Sequence, residues 1–149
     1  MCLAAAVGLT AVSTLAVASD AGRVVALDAQ NKVQAEAYTV EMKASGGYQA
    51  GKEGTVELTL ASKTGYHVNE KYPIKFKLSD PAPEGVSYPK AVLKRDDASC
   101  DAARCTFQVP FVPARAGKAK VTGVFAFSVC SDASCIMDRL ELELAVDVN

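Results

Sequence analysis

The stretch Val121-Thr-Gly-Val-Phe-Ala-Phe-Ser-Val-Cys130, Ser131-Asp-Ala-Ser134, Cys135-Ile-Met-Asp-Arg-Leu-Glu-Leu-Glu-Leu-Ala-Val-Asp-Val148 decides the fold class. Val121, Gly123, Phe125, Phe127 and Val129 fall on one side of a period-two pattern. Leu140, Leu142, Leu144, Val146 and Val148 do the same, with Glu141, Glu143 and Asp147 opposite. Strict alternation is the mark of a strand with one buried face. Only Ser131–Ser134 separate Cys130 from Cys135, so the two strands read as a hairpin with the cysteines at its base. Directly opposed residues of an antiparallel pair have Cα atoms about 4.5–5.5 Å apart. A disulfide accepts about 4.4–6.8 Å, so a Cys130–Cys135 bond costs little in this arrangement.

The same period recurs upstream. Tyr38, Val40 and Met42 alternate with polar residues, as do Val56, Leu58 and Leu60, and then Ile74, Phe76 and Leu78. Lys90 to Arg95 reads as another strand, and Gly65–Asn69 as a turn region. Cys105, Phe107, Val109 and Phe111 share a face, and Pro110 on the other face points to an edge position or a strand end. No window after position 34 has a helical period. Seven to eight short strands with turn signals between them predict an all-β chain, an antiparallel immunoglobulin-like β-sandwich over 35–149.

Composition narrows the function classes. A chain of 149 residues has room for one domain with a substantial core. With 16 Lys+Arg against 17 Asp+Glu, it lacks the basic excess of a general nucleic-acid binder. Hydrophobic residues at 50% and charged residues at 22% are incompatible with a disordered chain. Residues 1–18 carry no charge, and 14 of them are apolar. They end in Ala16-Val17-Ala18, a small-residue cleavage pattern, so they read as a secretory signal peptide. The competing reading is an N-terminal membrane anchor. Residues 19–34 read as a mobile arm, and the expected location is periplasmic or secreted.

Without Cys2, four cysteines remain: Cys100, Cys105, Cys130 and Cys135. An even count in an exported protein predicts disulfides, and the two C-x4-C spacings favour the local pairings among three connectivities. Each such bond closes a small ring, and small rings constrain the unfolded chain only weakly. A bond of that kind is either a hairpin staple or one that opens. Opening by exchange needs an accessible sulfur and a thiolate, and Asp132 nearby would disfavour the thiolate. A zinc site would need the two pairs to converge, which nothing in the spacing forces. His67, the single histidine, reads as a hydrogen-bonded turn residue, not a metal ligand. Glu141 and Glu143 read as a solvated strand face. No cofactor or metal is expected.

Two stretches carry a resemblance. Gly65-Tyr-His-Val-Asn-Glu-Lys-Tyr-Pro73, followed by Ile74–Leu78 and Pro83-Glu84-Gly85-Val86, is similar to the glycine–aromatic–histidine region of the N-terminal periplasmic domain of DsbD-type thiol:disulfide interchange proteins. Phe125–Cys135 with the leucine-rich strand after it resembles that family's cysteine hairpin. The family pattern differs after Cys135, where Ile136-Met137-Asp138 replaces an aromatic and prolines, and it has no counterpart of Cys100 and Cys105. The resemblance implies an immunoglobulin-like fold. It also implies that Cys130 and Cys135 form the exchanging pair, with Cys130 as the attacker. The implied partners are a thioredoxin-like periplasmic protein and a membrane electron donor. The alternative function is a non-enzymatic cell-envelope binding or structural module with two disulfide staples.

Overall fold

All six of these period-two runs form strands in the computed structural model, which describes residues 30–149, and so does Val92–Lys94 within Lys90–Arg95. In chain order the strands are β1 (Lys32–Gln34), β2 (Tyr38–Ala44), β3 (Gly54–Ser62), β4 (His67–Val68), β5 (Lys75–Leu78) and β6 (Val86–Ser87). They continue with β7 (Val92–Lys94), β8 (Ala98–Cys100), β9 (Arg104–Pro113), β10 (Gly117–Cys130) and β11 (Cys135–Val148). One 3-10 turn, Arg95–Asp97, interrupts them. The four elements that patterning does not reveal, β1, β4, β6 and β8, are two or three residues long, too short to display a period. The predicted signal peptide, 1–18, and the arm as far as residue 29 lie outside the described residues.

The chain is all-β, in two antiparallel sheets. One runs β1-β2-β3-β9-β6, with β8 also against β9. The other runs β11-β10-β5-β7, with β4 also against β10. Their inner faces meet through aromatic rings. Phe107 of the first sheet stands edge-on to Phe125 of the second at 5.7 Å, and Tyr38 edge-on to Phe127 at 4.8 Å. The alternation read from sequence is the burial pattern observed: Val40, Leu58, Phe107, Val121, Phe125 and Phe127 are all fully buried. Gly123 is required at its place on β10, because a Cβ there would lie 2.6 Å from the Phe76 ring and 2.7 Å from the Lys77 carbonyl oxygen.

Three details depart from or sharpen the sequence reading. The arm ends earlier than expected: Lys32–Gln34 pair with Thr39–Glu41, and Val33 packs on the core. Gly65–Asn69 is not wholly turn, since His67 and Val68 pair with Cys130 and Val129. Pro110 faces β3 on one side. On the other, β8 ends at Phe107 and β6 begins at Val112, so the missing N–H falls in a gap.

Candidate functional site

Both C-x4-C segments form hairpin tips, and strand direction brings them to the same end of the sandwich. Strand β9 starts at its tip, the chain turns at the far end, and β10 returns to finish at Cys130. Both local disulfides are formed, each with Cα atoms 4.0 Å apart. Cys100 lies opposite Cys105, and Cys130 opposite Cys135, as the hairpin reading requires.

The two bonds differ in their relation to the core: one lies on the inner face of its sheet, the other on the outer face of its sheet. Cys105 alternates with Phe107 and Val109 on the inner face, has no exposure and belongs to the core; Cys100 is half-buried against it. Cys130 follows inward-facing Val129, so its side chain is on the outer face of the second sheet, together with Cys135. Within that pair Cys130 is only 5% exposed, whereas Cys135 is exposed. Cys135 is therefore the sulfur of this pair that is open to solvent. The resemblance implies Cys130 as the attacker, whereas the more accessible sulfur of the oxidised pair is Cys135.

The surroundings of the outer pair come from β4 and the loop after it. His67 stands opposite Cys130, on the side away from Cys135, so the three residues form one row across three strands. His67 is exposed and not the satisfied structural residue expected from sequence. An imidazolium or ammonium beside a thiol favours its thiolate. The next loop is tied down. Asn69 donates its backbone N–H to Ser128 O at 2.9 Å and its Nδ2–H to Ser128 Oγ at 3.3 Å. Its carbonyl accepts from Arg95 Nη2 at 2.7 Å. Val68 N–H donates to Ala102 O of the first hairpin tip at 2.7 Å, linking the two tips. Between them lies an open cleft of about 390 Å³, lined by His67, Glu70, Lys71, Ala102, Cys130 and Cys135. The hairpin loop is itself ordered: Ser131 N–H donates to Ser134 O at 2.8 Å, and Ser131 Oγ accepts from the N–H groups of Ala133 and Ser134.

Beneath the cysteines, Tyr38 of the first sheet donates its hydroxyl to Asp138 of β11. Burial and then the Asp138 carboxylate hold the Tyr38 phenol well above its ordinary range. A raised folded-state pKa adds stability that is fully present below the phenol's unfolded value near 10, and that is lost as pH rises through the raised value. Tyr38→Phe is expected to cost about 1.5–3 kcal/mol at pH 7, the worth of a hydrogen bond to a charged group. Its deficit against wild type should shrink above about pH 10, which urea unfolding at pH 7 and pH 11 checks.

Among the described residues, no group of three or more His, Cys, Asp or Glu side chains converges as a metal site. No helix among them is long and apolar enough to cross a membrane. Glu141 is exposed on the outer face; Glu143 is half-buried and pairs with Lys120 at 3.0 Å. Sequence patterning missed the His67–Cys130 juxtaposition, the Tyr38–Asp138 bond and the burial of Ser128, because each depends on register between distant strands. No family model, curated protein or solved structure matches the chain.

Proposed function

We propose that this is an exported redox domain in which the Cys130–Cys135 pair exchanges electrons with a thioredoxin-like protein. The observation that carries the reading is the unequal burial of the two disulfides: Cys105 is in the core with Cys100 half-buried against it, while the other bond is on the solvent face with Cys135 exposed. A staple gains nothing from that exposure, while exchange depends on it. Two disulfides fit an oxidising compartment, periplasmic or extracellular. The resemblance to the N-terminal domain of DsbD-type proteins, with its immunoglobulin-like sandwich and membrane electron donor, points the same way.

In the oxidised domain, a partner thiolate attacks Cys135 Sγ. The Cys130–Cys135 bond breaks, and Cys130 leaves as a thiolate beside His67. The partner's second thiolate then attacks its own sulfur in the mixed disulfide and releases Cys135. Two electrons pass to the domain, the partner becomes a disulfide, and two protons restore the Cys130 and Cys135 thiols. With a more oxidising partner the steps run in reverse. The test is limited reduction with dithiothreitol, alkylation and mass spectrometry. Cys130 and Cys135 should be labelled while Cys100–Cys105 stays intact; simultaneous opening of both pairs contradicts the reading.

A further inference from the structure

The outer face of the second sheet carries a charge pattern that the disulfide chemistry does not use. At the end away from the cysteines its charges are neutralised: Lys118 pairs with Asp147, and Lys120 with Glu143. Toward the cysteines they are not. Lys75 stands directly opposite Lys94 across β5 and β7, a like-charge arrangement that costs stability in a sheet. The same row continues through half-buried Ala126 to Arg139. Lys77 follows two residues along on the same face. Lys75, Lys77, Lys94 and Arg139 are all exposed, and among the described residues none has a carboxylate within 4.0 Å. Glu141, across Val124 from Lys77, shares these rows, and at their β7 edge Asp97 accepts the Lys94 backbone N–H while Glu70 and Asp96 line a cleft with Lys75 and Lys94. The chain as a whole has a net charge of −1, so this face is a local excess that runs against the overall balance.

The geometry ties the excess to the cysteines. Lys94 and Arg139 are three strand spacings apart, about 14 Å. The row lies four residues along β10 from Cys130, about 13 Å, on the same face. Both fit within one protein contact of about 800 Å² per partner.

We infer that this face docks an acidic protein surface, one whose carboxylates surround a reactive thiol and place it over Cys135. The inference rests on the exchange reading for its choice of partner. Cations at a rim act mainly on encounter rate and orientation, so the effect belongs in kinetics and its salt dependence.

The probes are 13-residue peptides with one central cysteine among six glutamates, six lysines or neutral residues, compared at equal thiolate concentration. The glutamate peptide should open Cys130–Cys135 about tenfold faster than the neutral one at low ionic strength. That advantage should vanish near about 0.5 M salt. In Lys75→Glu/Arg139→Glu the preference should pass to the lysine peptide; Lys75→Gln/Arg139→Gln, which adds no new charge, should abolish it. Rates independent of peptide charge, or a preference that survives in both variants, overturn the inference. A serine version of the glutamate peptide separates docking from exchange, read by NMR shifts at Lys75, Lys77 and Lys94. If no thiol opens the bond but these lysines still shift, the docking face stands and the exchange reading falls. If the bond opens and they do not shift, the docking face falls alone. A duplex oligonucleotide that binds these lysines more tightly than the peptide at about 0.15 M salt also overturns the assignment to a protein partner.

Discussion

Cys130→Ser should trap a mixed disulfide with a thioredoxin-like partner, and Cys135→Ser should not, while both abolish turnover. Cys135 is the exposed member of the pair and Cys130 is 5% exposed. With Cys130 replaced, Cys135 still reaches a partner sulfur, but nothing remains in the domain to resolve the adduct. With Cys135 replaced, the remaining thiol lies beneath the sheet surface between His67 and the hairpin. The expected difference is at least about 100-fold in adduct yield after matched incubation, since exchange rates follow access and thiolate character. Non-reducing mass spectrometry of each variant with an oxidised thioredoxin-like protein measures it. Equal trapping by both variants would remove the assigned asymmetry. Neither substitution should unfold the domain, because the ring closed by this bond is short and its loop is held by Ser131 hydrogen bonds.

The second large effect is on stability. Phe125→Ala is expected to cost about 3–5 kcal/mol, toward the upper end. Phe125 is fully buried, and its ring meets those of Phe107, Phe127 and Phe76 at 5.7, 4.9 and 6.3 Å. Truncation leaves a cavity where the two sheets touch and removes three aromatic contacts, each worth about 0.5–1.5 kcal/mol beyond area. Domains of this size have about 5–15 kcal/mol in total, so the variant should lose about a fifth or more of its stability. Urea unfolding at pH 7 checks this. A loss under about 1 kcal/mol would mean that the sheets do not meet at this ring.

The fold was legible because its main strands are amphipathic and long. Phe125, Phe127 and Val129 on β10, and Leu140 to Val148 on β11, announce a buried face through alternation alone. The hairpin between them follows from the four-residue spacing of its cysteines. β4 was not legible: His67-Val68 is two residues, and its identity as a strand depends on Cys130 and Val129 arriving beside it from sixty residues away. The site was half legible for the same reason. Both pairings could be read locally, but their unequal burial required knowing that Cys105 continues the inward series of Phe107 while Cys130 breaks from the inward series of Val129. The Lys75–Lys94 pair likewise exists only once β5 and β7 are in register.

Exchange through one pair requires that its disulfide be labile while the other is structural. A glutathione and dithiothreitol redox titration of the chain from Ser19 to Asn149, with alkylation and mass spectrometry to follow each pair, tests it directly. The expected result is a Cys130–Cys135 potential above about −250 mV and a Cys100–Cys105 potential below about −300 mV. Both pairs below about −300 mV would contradict it and make each bond a staple.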